Sequence, residues 1–293
     1  MDGFIERFQN YNKKHCYQYE MRLQNLKNDI QEIGIPISEI QKLGPKDFEI
    51  KMVTDKSEHR EMIEFIKKNE WLGTISQFTT HWFGAYYNGM LGGVILFNVP
   101  NSFSKLLGEN TKNLERLISR GACASWTPNG LASHLIMTSI KKLVEVTDYR
   151  LFTAYSDPTA KELGTIYQAC NFYYLGSDFG GGKKYKNPYS GKYVSDRFFR
   201  QKTAYKKFAK ELGIEWGLNW NHKTGMSWDN IPDDVEKQLR QYSKMKQLEA
   251  EAITVPKKMK YAYVLGRDKR ETKKLRKLFL SKNKVYEYPK ERG

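Results

Sequence analysis

The chain has 293 residues, of which 40% are hydrophobic and 14% aromatic, so it is long enough to bury one large core or two smaller ones. No apolar run approaches the ~20 residues of a membrane span and the first residues are charged, so we expect neither a spanning segment nor an export signal. Three widely separated cysteines without a CxxC pair favour a reducing compartment, which predicts a cytoplasmic protein without a cysteine-based zinc site.

The net charge of +16 is confined to the last third of the chain. Residues 181–293 contain 29 Lys and Arg against 13 Asp and Glu, whereas residues 1–180 contain 20 of each kind. A positive field concentrated on one segment favours a polyanionic partner, and nucleic acid is the first candidate. An anionic membrane surface is the second, although no strongly amphipathic stretch stands out, and a merely solubilising charge is the third.

The first predicted element is a helix over residues 4–33, where apolar residues recur at spacings of three and four. The glycine and proline of Gly34-Ile-Pro36 end this helix. We expect residues 1–45 to form an N-terminal helical arm that serves packing or dimerisation rather than a functional site.

Residues 46–180 alternate between strand and helix patterns. Asn88-Gly89 lies between two strand-like runs, which is a strong hairpin signal, and Ser57 is a candidate helix cap. The predicted elements are a strand over 48–53, a helix over 57–69, the hairpin over 83–97, a strand within 114–125, a helix over 131–146, a strand over 149–155, a helix over 163–171 and a strand over 172–175. This order predicts an α/β domain with a mixed central sheet flanked by helices.

The residue composition changes after Gly176, and residues 181–293 are predicted to form a basic α+β C-terminal extension. Aromatic and basic residues alternate over 185–199, a mixture suited to phosphate contact and base stacking. The alternative is an edge hairpin whose rings pack on a core while its lysines face water. Helices are predicted over 203–212, 232–251 and 268–280, with a strand over 257–265. The candidate nucleic-acid-binding residues are Lys183, Lys184, Lys186, Lys192, Arg197, Arg200, Arg270, Lys273, Lys274 and Lys277.

Two candidate sites lie where predicted strands end. Arg120 leads into a turn that includes Trp126 and Gly130, and the amide groups of the helix that starts there could hold an anion. Asp157 follows the strand over 149–155, where open α/β sheets bind ligands, and could act as a general base or orient an amine or a metal. The structural alternatives are an ordinary strand–turn–helix junction and a capping aspartate.

Tyr167 and His81 are further candidates. Tyr167 lies one turn into the short helix and could exchange a proton or stack on a base, or it could equally be a core tyrosine with a satisfied hydroxyl. His81, directly before the hairpin, is expected to be an ordinary polar residue. The sequence has no P-loop, no HExxH motif and no cluster of Cys and His with metal-ligand spacing, so spacing predicts no metal site.

These pieces in this order resemble the GNAT superfamily of N-acyltransferases, and in particular its divergent Mom family of phage DNA-modification proteins. The resemblance spans roughly residues 70–180 and rests on Arg120, Asn129-Gly-Leu-Ala-Ser133, Tyr155-Ser-Asp157 and Gly164-Thr-Ile-Tyr-Gln-Ala-Cys-Asn-Phe172. It implies a GNAT-like fold and a phage enzyme, located in the host cytoplasm, that acts on double-stranded DNA. Such an enzyme converts adenine to an N6-carbamoylmethyl form, which shields the DNA from restriction.

By that resemblance, the catalytic positions fall on Arg120, Ser133, Asp157 and Tyr167. Asp157 would activate or orient the adenine amine, and Tyr167 would donate a proton or a hydrogen bond. Arg120 and Ser133 would hold the anionic or carbonyl part of the donor. The resemblance implies that the donor is acetyl-CoA or another acyl compound, bound at Trp126, Asn129, Gly130 and Ser133.

One departure concerns the loop in which ordinary GNAT proteins cradle the coenzyme A pyrophosphate with Gln/Arg-x-x-Gly-x-Gly/Ala. Here that place reads Trp126-Thr-Pro-Asn-Gly-Leu-Ala-Ser133, with one glycine. A bound iron, to which His81 and Asp157 could contribute, is not visible as a ligand pattern. Two other functions stay open: a GNAT acetyltransferase acting on protein, tRNA or a small amine, and a non-catalytic DNA-binding protein on a GNAT scaffold.

Overall fold

The computed structural model describes residues 16–100, 104–180, 182–222 and 225–290. The chain divides into two compact units: the first comprises Met1–Phe179 and Lys257–Gly293, and the second comprises Gly180–Pro256. This corrects the expected extension over 181–293, because its last part belongs to the first unit. The physical reason is that the strand formed by Met259–Val264 enters the central sheet of the first unit.

In these described ranges, ten strands form two sheets. They are β1 (Glu49–Val53), β2 (Thr79–Tyr87), β3 (Met90–Asn98), β4 (Glu115–Cys123), β5 (Leu151–Ser156), β6 (Tyr173–Tyr174), β7 (Gly182–Lys186), β8 (Tyr193–Ser195), β9 (Ala252–Val255) and β10 (Met259–Val264). The first unit contains a seven-stranded sheet with the order β1-β2-β3-β4-β5-β10-β6. Only β4 and β5 run parallel in it, so the sheet is mixed and the predicted fold class is confirmed.

The helices lie mostly where the apolar periodicity predicts them. They are α1 (Tyr17–Ile33), α2 (Ile37–Ile40), α3 (Lys56–Asn69), α4 (Leu131–Val146), α5 (Thr165–Ala169), α6 (Lys202–Glu211), α7 (Asp233–Glu249) and α8 (Lys269–Lys282). The part of the first predicted helix before Cys16 lies outside the described residues. Ser57 is not the cap of α3, because the Asp55 side chain accepts a hydrogen bond from the Ser57 N–H at 2.8 Å. Within the described ranges, none of the helices combines the length and apolar composition that crossing a bilayer requires.

The central sheet buries both of its faces. Ile95 and Phe97 of β3 belong to the core that includes α1 and α4, whereas Val94 and Leu96 point to the core that includes α3. A strand covered on both sides needs apolar residues at every position, not at alternate ones. This explains the continuous apolar run at the end of β3.

The hairpin between β2 and β3 turns at Asn88 and Gly89. Both residues have positive φ angles, 47° and 79°, as a two-residue turn of this type requires. The hairpin predicted from Asn-Gly is therefore confirmed.

The parallel strands β4 and β5 separate before either strand ends. Their pairing stops at Ile118 and Ala154, although β4 continues to Cys123 and β5 to Ser156. A bulge in β4 at Ser119 marks the same point, and bulges bend the strand that carries them. We call this gap, between β4 beyond Ile118 and β5 beyond Ala154, the β4–β5 opening.

The second unit has its own three-stranded antiparallel sheet, in the order β8-β7-β9, and the two helices α6 and α7. Its core contains Phe199, Phe208 and Leu239, which are completely buried, and Tyr205, which is nearly so. A unit of this size has little apolar surface to bury, so it depends on its aromatic residues for stability.

Candidate functional site

Asp157 follows β5 directly and lies at the end of the β4–β5 opening. Its Oδ1 accepts hydrogen bonds from the Thr159 N–H at 3.0 Å and hydroxyl at 2.6 Å, and its Oδ2 lies 3.1 Å from Lys258 Nζ. Burial raises the pKa of Asp157, but the hydrogen bonds from Thr159 and the charge of Lys258 outweigh burial, so the pKa lies below its usual value. Asp157 therefore caps the following turn and is also an ionised acceptor.

Glu162 is a second carboxylate at this place. Its Oε2 accepts the backbone N–H of Asp157 at 3.1 Å, and its Oε1 accepts the indole N–H of Trp71 at 3.0 Å. Burial raises the pKa of Glu162, and the charges of Glu70 and Asp157 add to this, against the opposing effect of the two hydrogen bonds. Glu162 thus holds a proton more readily than Asp157 does.

Glu70 and Arg120 form the other side of the group. Arg120 donates from Nε to the Thr74 carbonyl at 2.6 Å, from Nη2 to the Thr74 hydroxyl at 3.1 Å and from Nη1 to the Ser119 carbonyl at 2.6 Å. Its Nε lies 3.9 Å from Oε1 of Glu70. Glu70 is only 8% exposed, and its other carboxylate oxygen, Oε2, accepts the Gly73 N–H at 2.6 Å. Arg120 therefore ties the loop after α3 to β4 before any ligand binds.

Tyr167 lies on α5 and packs its ring 5.4 Å from the rings of Phe172 and Tyr261. Burial raises the pKa of Tyr167, and the negative charge of Glu162 raises it further, so the phenol stays protonated at neutral pH. Gly164, at the start of α5, has a φ of 67°, and a Cβ there would overlap the Tyr261 ring. The glycine thus permits the close packing that positions Tyr167.

Ser133 lies in the first turn of α4. Its hydroxyl donates to the Gly130 carbonyl at 2.9 Å, and its own carbonyl lies 3.9 Å from the thiol of Cys170, at the end of α5. Asn129 and Gly130 are exposed beside it. The start of α4 and the helix that carries Tyr167 are therefore neighbours, as the sequence-based grouping of Ser133 with Tyr167 requires.

Trp126 does not face a donor site. It is 5% exposed, and its ring packs 5.6 Å from the ring of Phe48 in the main core. This corrects its predicted role in cofactor binding: an indole placed there gains more from burial than from a surface contact, so Trp126 anchors the turn.

Side chains from α1 fill the turn between β4 and α4. The buried Asp29 accepts hydrogen bonds from the Ser125 hydroxyl at 2.6 Å and N–H at 3.3 Å, while Arg22 donates to the carbonyls of Ala124 and Thr127 at 3.1 Å each. The Asp29 carboxylate also pairs with Lys68 at 2.9 Å, so its charge is compensated. Side chains of α1 thus fill the turn, and the exposed start of α4 is the place left for the anionic end of a donor.

His81 lies apart from this group. Its ring is 5.4 Å from the ring of Tyr149, and burial, followed by the charge of Arg116, lowers its pKa. His81 is separated from Ala154, on the strand that leads to Asp157, by three strand spacings across β3 and β4, or about 14 Å. His81 and Asp157 therefore do not meet at an iron site. Among the residues that the structure describes, no three His, Cys, Asp or Glu side chains are grouped to hold a metal ion.

The ten cations predicted to contact nucleic acid are all exposed, but they divide between the two units. The second unit carries six of them, and α8 of the first unit carries Arg270, Lys273, Lys274 and Lys277. Lys186 pairs with Glu251 at 2.8 Å, and Arg200 pairs with Asp196. In the described ranges no ion pair involves the remaining four, which are Lys183, Lys184, Lys192 and Arg197.

Three of the aromatic residues between 185 and 199, Tyr185, Phe198 and Phe199, pack in the core of the second unit, whereas Tyr189 is 38% exposed. Phe199 is completely buried, with the Tyr185 ring edge-on at 5.9 Å and the Phe198 ring at 5.2 Å. The Tyr189 ring packs 6.5 Å from that of Phe208. The structure therefore favours the alternative, in which the rings pack on a core, for Tyr185, Phe198 and Phe199.

Sequence reasoning missed Glu70, Trp71 and Glu162. Glu162 lies between two stretches that carry the family resemblance, Tyr155-Ser-Asp157 and Gly164 to Phe172, yet it belongs to neither. Glu70 and Trp71 come from the distant end of α3 and meet Glu162 only in the folded chain. The only available signal was the position of Glu162, five residues after Asp157, in the loop that follows β5.

A family model described as the Mom protein family matches residues 47–290 of the chain. No curated protein sequence matches it. Similar solved structures include an acetyltransferase from Bacillus subtilis in complex with CoA (9% identity, covering 74% of this chain and 99% of that chain, TM-score 0.34). They also include a GNAT family acetyltransferase from Elizabethkingia anophelis with acetyl-CoA bound (12% identity, 75% and 99% covered, TM-score 0.33). A third is a probable acetyltransferase from Staphylococcus epidermidis (10% identity, 50% and 93% covered, TM-score 0.35).

Proposed function

The chain belongs to the Mom protein family, and from this premise we propose that it is a phage-type enzyme that modifies the N6 amine of adenine in double-stranded DNA. The added group is of the carbamoylmethyl type and protects the DNA from restriction. The observation that carries the proposal is the group at the β4–β5 opening. There an ionised Asp157, a Glu162 with raised pKa and a protonated Tyr167 lie together.

The three side chains suit transfer of a group to a weakly basic amine. N6 attacks an electrophilic carbon of the donor, and the new N–C bond forms as the bond from that carbon to the leaving group breaks. Asp157 accepts a hydrogen bond from N6 and orients it, while Glu162 takes the N6 proton, for which its raised pKa suits it better. Tyr167 gives a proton to the leaving group and regains one from Glu162, so one proton passes in net terms from N6 to the leaving group.

The donor is proposed to be a carbonyl compound held at the start of α4. A carbamoylmethyl group joins N6 through its methylene, so the carbon that N6 attacks is the CH2 next to the donor carbonyl, and the leaving group departs from that CH2. The amide groups at the start of α4 suit a carbonyl or anionic group, and the Ser133 hydroxyl, which donates to the Gly130 carbonyl, holds that first turn in place. Because Asp29 already occupies the preceding turn, no step of this mechanism depends on a coenzyme A pyrophosphate.

The DNA substrate is proposed to bind through the exposed cations. A base inside a duplex cannot reach a pocket and must be extruded, which costs a few kcal/mol in unstacking and unpairing. Lys183, Lys184, Lys192 and Arg197 are exposed and form no ion pair with the residues that the structure describes, and phosphate contacts by such charges can offset that cost.

The deciding experiment is mass spectrometry of nucleosides from the DNA of cells that produce this protein, beside cells that produce the Asp157→Ala variant. We expect a deoxyadenosine species heavier than the parent, absent with the variant, and its mass identifies the added group. Unchanged nucleosides with a well-folded protein would overturn the proposal. Acetyl-CoA turnover without DNA would then identify an acetyltransferase of another amine.

A further inference from the structure

Leu218 is the most exposed large hydrophobic residue in the part of the chain that the structure describes. It is 93% exposed and belongs to the second unit, in the segment between α6 and α7. A fully exposed leucine in a flexible tail would mean little. Here, however, Leu218 lies in a short segment whose backbone is held by hydrogen bonds and by ring packing.

The segment is a single turn of 3₁₀ helix, Leu218–Trp220. Asn221 donates from Nδ2 to the Leu218 carbonyl at 3.0 Å and accepts the Trp216 indole N–H at 3.3 Å. The Trp216 and Trp220 rings meet at 5.4 Å, and Trp220 is buried. The backbone of Leu218 is therefore fixed, while its side chain points away from the core of its unit.

Two lysines contact residues that flank Leu218 in the chain. Lys202 donates from Nζ to the His222 carbonyl at 3.1 Å, and Lys206 Nζ lies 5.6 Å from the centre of the Trp216 ring. Lys202 and Lys206 are one turn apart on α6 and so share a face of that helix. Residues 180–256 contain 15 Lys and Arg against 9 Asp and Glu.

Duplex DNA matches this arrangement in chemistry, because its apolar base stack is bordered by phosphates. An apolar protein partner would call for a broad patch, whereas a single exposed leucine on a unit with excess positive charge suits insertion between bases. We propose that Leu218 is a wedge that enters the base stack of duplex DNA and unstacks one base step. This inference rests on the proposed function in taking DNA as the ligand.

The test uses the full chain and short DNA duplexes that carry 2-aminopurine at successive adenine positions, since the fluorescence of this base rises when it is unstacked. The wild-type protein is expected to raise the fluorescence at one or a few positions. The Leu218→Ala variant is expected to reduce that rise about threefold or more, and Leu218→Phe, which keeps a large apolar group, to retain it. The matched control is Leu248→Ala, a 77% exposed leucine near the end of α7 in the same unit.

Binding is measured in the same samples by anisotropy at several salt concentrations. Because no charge changes, the salt dependence of Kd for Leu218→Ala is expected to equal that of the wild type. Equal unstacking by wild type and Leu218→Ala would overturn the wedge and leave the proposed function standing, because base extrusion for the reaction itself unstacks the DNA. Wild-type binding without unstacking would overturn the wedge and also the base extrusion that the proposed function requires. Absence of wild-type DNA binding would overturn both, so the two failures are distinct.

Discussion

The backbone N–H of Asp157 donates to the Glu162 carboxylate at 3.1 Å, so the acceptor proposed for the adenine amine is itself held in place by a second acid. Glu162→Gln leaves one accepting oxygen for two donors, the Asp157 N–H and the Trp71 indole. We expect modification to fall roughly 10- to 100-fold, because Asp157 shifts and the proton acceptor is lost. The measurement is the fraction of modified deoxyadenosine in cellular DNA.

The matched control for this change is Glu145→Gln, at an exposed position near the end of α4. It removes the same charge but touches nothing at the β4–β5 opening, so modification is expected to stay at the wild-type level. Equal modification by both variants would show that Glu162 has no part in the reaction.

The pH dependence of modification is expected to follow Glu162 and not Asp157. Burial raises the pKa of Glu162, whereas the Thr159 and Lys258 contacts hold that of Asp157 below its usual value. As pH falls, Glu162 is therefore protonated first and can no longer take a proton. The rate in a lysate that contains the donor should fall at a pH above the usual range of a glutamate, and Glu162→Gln should flatten that fall. An unchanged acid limit in the variant would assign it to another group.

Tyr167→Phe is expected to abolish most modification without unfolding the protein. The ring contacts with Phe172 and Tyr261 need no hydroxyl, so packing is kept, while the proton for the leaving group is lost. General acid catalysis of this kind contributes about 10²- to 10⁴-fold to rate. Tyr263→Phe, whose ring also packs on Phe172, is the control and should keep full modification in the nucleoside assay.

Arg120 and Glu70 are expected to be coupled in stability. Arg120→Ala leaves the buried Glu70 carboxylate without its charge partner and removes three hydrogen bonds, so we expect a loss of about 1–3 kcal/mol in the free energy of unfolding. With Glu70→Gln added, the total loss should be smaller than the sum of the two single losses by about 1 kcal/mol. Urea denaturation measures all three variants.

The control for that cycle is the exposed pair Lys67–Glu64 on α3, at 2.7 Å. Exposed pairs contribute little because water screens them, so both single changes should cost under about 0.5 kcal/mol. A strictly additive result for Arg120 and Glu70 would contradict their coupling.

Replacing Lys183 and Lys184 together by Gln is expected to lower the salt dependence of DNA binding. If each contacts a phosphate, the slope of log K against log salt falls by about 2. Lys186 and Arg200 are already paired with Glu251 and Asp196, so the double Gln variant of those two should lower the slope less. Anisotropy titrations at several salt concentrations measure both. A larger loss of slope in the Lys186 and Arg200 variant than in the Lys183 and Lys184 variant would indicate that DNA binds elsewhere on the protein.

The sequence predicted local elements well because their signals are local. The bounds of α4 and the turn at Asn88-Gly89 follow from apolar spacing and from turn chemistry. The insertion of β10 between β5 and β6 could not be predicted, because strand order depends on contacts between segments about 100 residues apart. The aromatic core of the second unit could not be predicted for a similar reason. The spacing of its aromatic residues in the sequence is equally compatible with a surface that stacks on bases and with a buried core.

The candidate site was predicted in part for the same reason. Asp157 and Tyr167 lie at a strand end and a helix start, places that a pattern of elements reveals. The sequence placed Trp126 in a turn but could not show that Phe48 buries it. The contact of Glu162 with Trp71 joins residues 91 positions apart, so no local sequence pattern could predict it.

The chain leaves and re-enters the first unit at one place, where Phe179 and Lys258 form an antiparallel bridge. The 77 residues of the second unit are therefore an insertion between adjacent backbone positions. During synthesis on a ribosome, the central sheet cannot be completed until β10, which carries Tyr261, has been made, and β10 is made only after the whole inserted unit. The same geometry means that evolution could exchange the inserted unit, and with it the proposed DNA contacts, without rebuilding a single strand of the sheet that leads to Asp157.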